Sequence, residues 1–478
     1  MMMNPLWTSS EALMATHGKA RGDWQAYDVA IDSRDVRPGD LFVALKGETT
    51  DGHKYVEAAL KAGAVAAMVE DDTFGMPDTW PLLMVPDTFK GLQNLGIAAR
   101  ARSRARRIGI TGSVGKTGTK EALKAALARH AKVHASIRSF NNHVGLPLTL
   151  ARLPRKADYA VLEMGMNHPG ELTALSALAR PDIALITTIQ PAHTEFFSSI
   201  EAIADAKAEI FNGMSEDGIA ILNRDIEQFE RLSAAARERG IRNIISFGAH
   251  EQADVRLLRF KITGDCSCVT ADIRGQMMMY KVGMPGRHWV SNSLGVLATV
   301  QAAGGDLSLA GLALASMTPM GGRGRRYRLA WLGGTLTVID ESYNASPAAM
   351  QAAIETLGDA PIPAHGRRIA VLGDMLELGE KSESYHQALA APLRDAGTDL
   401  IFTMGKEMRA LAEVLGPDVH AGHAENGDAL LKLLKRRLMP GDVVLVKGSN
   451  SMGLSVVVDS LKAAPPPAAG GGQARYAL

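Results

Sequence analysis

The chain of 478 residues is 46% hydrophobic and 22% charged, and its formal net charge is +1. One ordinary core does not extend over such a length, so the sequence predicts a soluble globular protein of about two to four domains. A net charge this close to zero excludes the strong overall field typical of nucleic-acid or anionic-membrane binders, so we predict no nucleic-acid partner.

The cysteines and the N-terminal segment indicate where the protein acts. Cys266 and Cys268 are the only cysteines, and their spacing on one face of a predicted strand offers no disulfide framework. The first residues lack the basic start and apolar core of a signal peptide, and no uncharged apolar run is long enough to span a bilayer. We therefore predict a cytoplasmic protein without membrane insertion.

The first predicted domain covers residues 1–86. Short apolar runs and one helical pattern that ends at Gly63 predict a small α/β unit there. An arginine-rich stretch at 100–107 then opens the second block. It is either a nucleic-acid contact or a solvated helix end, and the second interpretation is favoured because its arginines spread around a helix.

The second and third predicted domains cover residues 87–322 and 323–462. Apolar runs alternate with helical patterns in both, which predicts mainly parallel sheets with helices on their faces. The segment 253–275 is expected to be antiparallel. The end of the chain, 463–478, is rich in Pro, Gly and Ala, which predicts a disordered tail.

A glycine turn in the second domain predicts a nucleotide site. "GITGSVGKTGTKEAL" at 109–123 places Gly112 and Gly115 between a predicted strand and a predicted helix. Backbone N–H groups of such a turn form an anion cradle at the helix N-terminus. Lys116 is expected to reach the terminal phosphates, and the hydroxyl of Thr117 is expected to hold Mg²⁺.

Other polar residues follow predicted strands, where ligands bind in open parallel sheets. Glu163 and His193 each end an apolar run, so they predict ligands for a second divalent ion, although His193 alone also suits an ordinary loop. Spacing alone favours a surface lysine at Lys207. The acidic residues after two strands of the third domain suit either capping and turns or a cleft, and the cleft is favoured: Asp340, Glu341, Asp374, Glu377 and Glu380.

Several motifs in order resemble the ATP-dependent Mur ligases of peptidoglycan synthesis. These motifs are "TGSVGKTGTKE", "FNNHVGLPLTL", "EMGMNHPGEL", "PAHTEFF", "DAKAEIF", "DESYNASP", "GDMLELGE" and "KGSNSMGL". The resemblance extends from residue 32 to about residue 455, and the last motifs are similar to the branch that adds a dipeptide. It implies three α/β domains: a small UDP-substrate domain, a central P-loop ATPase domain with a mainly parallel sheet, and a Rossmann-like C-terminal domain that closes on the ATP and dipeptide site.

The resemblance also implies roles for individual residues. The expected ATP-binding residues are Gly112, Ser113, Val114, Gly115, Lys116, Thr117, Gly118, His288, Asn292, Arg323 and Asp340. The expected metal ligands are Thr117, Glu163, His193 and Lys207, with Lys207 carrying CO₂ as a carbamate. Lys116, Lys207 and His193 are the implied catalytic residues. Ser33 and Arg34 match the UDP-binding segment, and Asn141 and Asn142 match the muramoyl-peptide segment.

The implied activity is the ATP-dependent joining of D-alanyl-D-alanine to UDP-N-acetylmuramoyl-tripeptide through an acyl phosphate, for cell-wall biogenesis, cell shape and division. ATP and two Mg²⁺ ions are the expected cofactors, and a monomer is expected. The alternatives are a sister ligase that adds diaminopimelate or lysine, and a nucleotide-switch ATPase. The sequence departs from the family pattern at five positions, namely Gly118, Gln190, Trp289, Ser346 and Asn450.

Overall fold

The computed structural model describes residues 4–47, 49–70, 75–137, 139–191 and 194–463. Sheets of five, nine and six strands follow one another along the chain, and a two-stranded pair accompanies the first. Within these ranges no helix is both long and apolar enough to cross a bilayer. The α/β fold class with three sheet-based units is confirmed, whereas the domain boundaries themselves stay predictions.

The first unit is a five-stranded sheet in the order β2-β7-β6-β5-β4, and all its neighbours are parallel except β2 and β7. Its strands are β1 (Trp7–Thr8), β2 (Lys19–Arg21), β3 (Gln25–Ala26), β4 (Asp28–Ala30), β5 (Asp40–Val43), β6 (Ala66–Glu70) and β7 (Leu82–Val85). Its helices are α1 (Ser9–Thr16) and α2 (Val56–Lys61), and α3 (Thr88–Arg102) leads to the next unit.

The central unit is a nine-stranded sheet in the order β16-β15-β14-β13-β12-β11-β8-β10-β9. Its strands are β8 (Arg106–Thr111), β9 (Val133–Ala135), β10 (Tyr159–Glu163), β11 (Ile183–Ile186), β12 (Ile219–Asn223), β13 (Asn243–Gly248), β14 (Val255–Thr263), β15 (Cys266–Ile273) and β16 (Gln276–Val282). Its helices are α4 (Lys116–Leu127), α5 (Gly145–Ala151), α6 (Glu171–Ala179), α7 (Ile200–Ala208), α8 (Phe229–Glu238), α9 (Arg287–Ala302) and α10 (Leu307–Ala315). Strands β9 to β14 are parallel, and β15 and β16 add antiparallel, as expected for 253–275.

The third unit is a six-stranded sheet in the order β17-β18-β22-β19-β20-β21, parallel except for the β17–β18 hairpin. Its strands are β17 (Arg325–Trp331), β18 (Gly334–Glu341), β19 (Arg368–Gly373), β20 (Leu400–Met404), β21 (His420–Ala424) and β22 (Val443–Lys447). Its helices are α11 (Pro347–Gly358), α12 (Ser382–Gln387), α13 (Ala390–Asp395), α14 (Arg409–Val414), α15 (Gly427–Arg437) and α16 (Leu454–Ala463). Of the predicted tail 463–478, Ala463 is the last residue of α16, and the remainder lies outside the described residues.

Alternating side chains of the central strands build a separate core on each face of the sheet. In β11, Ile183 and Leu185 join one core, whereas Ala184 and Ile186 join the other. The second of these cores continues into the first unit through Trp7. Two covered faces explain why these strands are apolar throughout, as parallel strands are when helices pack on both sides.

The strand order of the central sheet places the site. The chain runs from β8 out to β9, returns to β10 on one side of β8, and then reaches β11 on the other side. Such a reversal opens a crevice at the carboxyl ends of the strands, which is where open α/β sheets bind ligands. The glycine turn after β8 and Glu163 at the end of β10 therefore meet at this crevice.

Candidate active site

The glycine turn has the backbone geometry of a phosphate loop. Gly112 and Gly115 have φ values of 141° and 87°, in the region that favours glycine. A Cβ atom on Gly112 would lie 2.1 Å from the hydroxyl oxygen of Thr187, so no larger residue fits there. Helix α4 starts at Lys116, directly after Gly115, and its first N–H groups face the turn as an anion site requires.

Lys116 lies over this turn. Its ammonium group donates to the carbonyl of Gly112 at 2.6 Å and to that of Ser113 at 3.1 Å. Burial lowers the pKa of Lys116, Glu163 acts in the opposite direction, and Arg323 lowers it further. The side chain of Lys116 therefore folds back onto the glycine turn, and its expected contact with nucleotide phosphates stays a prediction.

Glu163 is buried, with 1% of its surface exposed, and its two carboxylate oxygens differ. Oε1 accepts hydrogen bonds from the Thr117 hydroxyl at 3.0 Å and the Asn141 amide at 2.8 Å. Oε2 has no hydrogen-bond partner among the described residues, and the ammonium of Lys120 lies 3.9 Å away. A buried carboxylate oxygen without a donor is costly, and a divalent cation would satisfy it. The residues present at Glu163 and Thr117 therefore fit Mg²⁺.

Lys207 is not the surface lysine that its spacing favoured, because only 1% of its surface is exposed. Burial lowers its pKa well below the ordinary value, and the nearby Lys116 lowers it further, against the opposing influence of Glu171 and Glu209. This burial favours the neutral amine of Lys207 over its ammonium form. The neutral amine is the form that reacts with CO₂, so the environment suits a carbamate.

The structure describes only part of the predicted set of metal ligands. His193 lies outside the described residues, so its position beside Glu163 and Lys207 stays a prediction. In the ranges that the structure covers, no group of three or more His, Cys, Asp and Glu side chains is placed to hold a metal ion. Among the described residues the set therefore consists of the Thr117 hydroxyl, the Glu163 carboxylate and the buried Lys207, whose carbamate stays a prediction.

Arg323 and Tyr343 lie where the third unit contacts the central unit. Its guanidinium lies 3.9 Å from the centre of the Tyr343 ring, and the Tyr343 hydroxyl donates to Ser139 Oγ at 2.7 Å. Asp340 accepts from the N–H of Gly322 at 2.8 Å and from the Ser342 hydroxyl at 2.6 Å. In this structure the carboxylate of Asp340 thus anchors the turn that carries Arg323. Its expected contact with ribose stays a prediction.

A charged residue that sequence reasoning missed faces the same cleft. Lys447 ends β22, is 3% exposed, donates to the Asn344 carbonyl at 2.9 Å, and lies 3.6 Å from Glu341. His288 is an exposed residue, and partial desolvation by the surrounding protein, together with the charge of Lys447, lowers the pKa of His288 to about 4. The signal available in the sequence was a lysine at the end of an otherwise apolar strand.

The remaining predicted residues are spread over two places. The amide of Asn292 lies against the glycine turn, 3.0 Å from where a Cβ on Gly115 would be. The side chain of Asn142 accepts from the N–H of Gly145 at 2.9 Å and so caps α5. In the first unit, Arg34 is exposed and pairs with Asp32, which lowers the pKa of that carboxyl to about 2, and the neighbouring Ser33 is half-buried.

Three family models match this chain in order. The Mur ligase family catalytic domain matches residues 26–75, the Mur ligase middle domain matches 110–300, and the Mur ligase glutamate ligase domain matches 326–450. The chain is 33% identical over 454 residues to the UDP-N-acetylmuramoyl-tripeptide--D-alanyl-D-alanine ligase of Rickettsia prowazekii, with 95% of this chain and 99% of that protein covered. The chain belongs to the Mur ligase family.

Solved structures of Mur ligases superpose on nearly the whole chain. A crystal structure of MurF from Acinetobacter baumannii has a TM-score of 0.84 at 27% identity, covering 97% of this chain and 100% of that one. The MurF ligase of Thermotoga maritima in complex with ADP has a TM-score of 0.76 at 27% identity, covering 91% and 97%. The expected family, and its three-domain α/β architecture, are thereby confirmed.

Two of the positions at which this Mur ligase departs from the family pattern are in contact. Gly118 and Trp289 are the third residues of α4 and α9. A Cβ on Gly118 would lie 2.5 Å from Cη2 of the Trp289 indole and 2.9 Å from Cζ3. The backbone of Gly118 is helical, a conformation in which glycine is unfavourable by about 1 kcal/mol relative to alanine. Glycine is therefore explained here by the close approach of the indole ring, beside the phosphate loop.

We predict that the effect of Gly118→Ala changes sign with the residue at 289. In the parent protein G118A should reduce the free energy of unfolding by about 1–3 kcal/mol, because the added methyl group overpacks the contact with Trp289. In a W289A background the same change should stabilise by about 1 kcal/mol, as in an open helix. Urea unfolding of the four proteins measures this coupling.

Gly427→Ala is the matched control, because a Cβ on this helical glycine would meet its nearest atom only at 3.6 Å. It should be neutral or stabilising in both backgrounds. An equal effect of G118A with and without Trp289 would contradict the proposed steric coupling.

Proposed function

We propose that this Mur ligase joins D-alanyl-D-alanine to UDP-N-acetylmuramoyl-tripeptide, with ATP converted to ADP and phosphate. The observation that carries this proposal is the match over 95% of this chain to a ligase of that name, at 33% identity. The phosphate loop, the buried Glu163 and the cleft-facing Arg323 support the ATP-dependent part of the reaction. They supply the charges that phosphoryl transfer to a carboxylate requires.

The chemistry explains why a nucleotide is needed. A carboxylate is a poor acyl donor because its leaving group would be oxide. Transfer of the γ-phosphoryl group of ATP to the tripeptide carboxylate gives an acyl phosphate, whose leaving group is phosphate. The amine of D-alanyl-D-alanine then attacks the acyl carbon, and the tetrahedral intermediate collapses to the amide with loss of phosphate.

The phosphate loop is expected to position the nucleotide and to stabilise charge. Phosphoryl transfer depends mainly on in-line positioning and on neutralising the phosphoryl oxygens. In this proposal the ammonium of Lys116 moves from the carbonyls of Gly112 and Ser113 to the β,γ-phosphates. Thr117 and Glu163 would hold Mg²⁺, which supplies further neutralisation of phosphate charge when bound. The second ion of the expected pair would use Glu163, His193 and the modified Lys207.

The buried Lys207 is expected to carry the carbamate. The neutral amine adds CO₂ and releases one proton, which turns a buried neutral side chain into an anionic one. The lowered pKa of Lys207 supports this step, because it keeps the amine deprotonated at a pH where an exposed lysine would be charged. As the pH falls through that lowered pKa, the amine is protonated and the carbamate is lost.

Arg323 is expected to complete the site from the third unit. Its stack on Tyr343, together with the hydrogen bond from Tyr343 to Ser139, holds the guanidinium at the cleft. Closure of this unit would bring a positive charge to the transferring phosphoryl group and exclude water from the acyl phosphate. Water exclusion matters because hydrolysis would consume ATP without forming a peptide bond.

We predict that the purified protein forms UDP-N-acetylmuramoyl-pentapeptide when ATP, Mg²⁺, the tripeptide precursor and D-alanyl-D-alanine are all present. Phosphate release should require both the precursor and the dipeptide, because the acyl phosphate forms only on the bound carboxylate. Product formation is followed by mass spectrometry and phosphate release by a coupled assay.

The choice of amine substrate in this assay distinguishes the proposed reaction from the alternative functions. The same assay with diaminopimelate, lysine or glutamate in place of the dipeptide should give no product. Product with diaminopimelate or lysine on a dipeptide precursor would identify a sister ligase instead. ATP hydrolysis with neither substrate would identify a nucleotide switch.

We predict that Lys207→Ala lowers the ligation rate on the order of a hundredfold or more, which is the scale for losing one electrostatic group aimed at the reacting atoms. A short-chain carboxylate such as propionate should restore part of the rate, because it replaces the anionic end of the carbamate. The initial rate of pentapeptide formation is measured with and without propionate.

Lys406→Ala is the control, since Lys406 is an exposed lysine whose removal leaves the cleft intact. It should retain the parental rate and show no response to propionate. Full activity of K207A without any carboxylate would contradict the carbamate role.

A further inference from the structure

A second concave site lies at the opposite edge of the central sheet from the phosphate loop. Its volume is about 820 Å³, and its lining includes Arg100, Arg104, Arg106, Arg107, Arg180 and Asp182. We call it the arginine cavity. Arg106 begins β8, whereas the phosphate loop follows the end of that strand, and six residues of strand span about 20 Å. The arginine cavity is therefore separate from the nucleotide crevice.

The arginine-rich stretch at 100–107 is a helix end only in its first residues, because Arg100 and Arg102 lie in the last turn of α3. Helix α3 ends at Arg102, and β8 begins at Arg106, so the stretch is not one helix. Arg102 turns away, with its guanidinium 3.7 Å from the centre of the Trp7 ring. The other arginines of the stretch converge on the cavity, where Arg180 joins them from the end of α6.

Two of the five cavity arginines are held by the protein itself. Arg107 pairs with Asp182 through two hydrogen bonds, at 2.9 Å and 2.6 Å. Arg100 donates to the carbonyls of Ala177 and Leu178 at the end of α6. Both contacts have a structural explanation, because they neutralise a charge or cap a helix.

The other three arginines have no protein partner in the described ranges, and Arg104 and Arg180 are exposed. The side chains of Arg104, Arg106 and Arg180 form no hydrogen bond or ion pair with any residue in the described ranges. Burial lowers the pKa of Arg100, and repulsion from Arg180 and Arg107 lowers it further. Like charges are thus crowded around one recess with a single carboxylate in its lining.

We propose that the arginine cavity binds a small molecule that carries two or more phosphate groups. Guanidinium groups offer paired donors that match the oxygens of phosphate, and several of them around a recess match more than one negative charge. The volume lies within the range of about 300–1,000 Å³ typical of small-molecule sites. A ligand with only one carboxylate group would leave most of the positive charge of these arginines uncompensated.

Inorganic pyrophosphate is the probe, and Lys116→Ala is the background that weakens binding at the phosphate loop. Titration calorimetry of the full-length K116A protein should detect pyrophosphate binding that weakens as the salt concentration rises. Adding Arg104→Ala and Arg180→Ala should lower the affinity roughly tenfold or more, because two guanidinium groups that would contact the phosphate oxygens are removed. Monovalent acetate should not compete.

Arg394→Ala with Arg436→Ala is the control of equal charge, because both of these residues are exposed on helices of the third unit. In the K116A background this pair should leave pyrophosphate affinity unchanged. Equal losses from both double substitutions would mean that only overall charge matters, and that result would overturn the proposal. Binding that R104A/R180A leaves intact would also overturn it, as would tighter binding of single-stranded RNA or an acidic peptide to the same arginines.

The result of the pyrophosphate titration does not depend on whether the protein catalyses the proposed ligation. With Lys116 present, R104A/R180A should ligate D-alanyl-D-alanine at the parental rate when no pyrophosphate is added, because the arginine cavity lies away from the reacting groups. Failure of ligation in the parent protein would count against the proposed function alone. Loss of ligation in R104A/R180A alone would overturn the assignment of the cavity as a separate site.

Discussion

The carboxylate of Glu163 is the point on which the site depends. One of its oxygens is held by Thr117 and Asn141, and the other is buried without a hydrogen-bond donor in the described part of the chain. This single group connects the helix after the phosphate loop, the end of β10 and the segment before α5. A divalent cation at this oxygen would remove the cost of burying it and would place positive charge beside the nucleotide phosphates.

The surroundings of Glu163 are strongly cationic. Lys116 and Lys207 lie near each other in the central unit, and Arg323 and Lys447 approach from the third unit. Burial lowers the pKa values of all three lysines, and a neighbouring cation lowers each further: Arg323 for Lys116 and Lys447, and Lys116 for Lys207. Bound phosphates would offset the cost of burying the Lys116 ammonium, and a carbamate would replace the buried amine of Lys207 by an anion, so the loaded site would be electrostatically better balanced than the free one.

The two ends of the central strands carry different sites. The carboxyl edge carries the glycine turn and Glu163, both supported by the reversal of strand order at β8. The amino edge carries the arginine cavity, whose guanidinium groups come from α3, β8 and the end of α6. Helix α3 also packs against α1 of the first unit. Helix α3 therefore touches both sites: its last turn lines the arginine cavity, and it also contacts the first unit, which the resemblance predicts to bind the UDP substrate.

The sequence by itself determined the α/β class, the run of parallel strands, the antiparallel segment and the glycine turn, because backbone conformation and hydrophobic period are local properties. Ordered motifs also identified the family. Only the tertiary structure decided that Lys207 is buried, that Trp289 lies on Gly118, and that the arginines at 100–107 line a cavity with Arg180. Each of these depends on distances between side chains from different elements, and such distances are set by how helices pack on a sheet. A local pattern therefore shows which residue types are present at a site, and packing decides which of them meet.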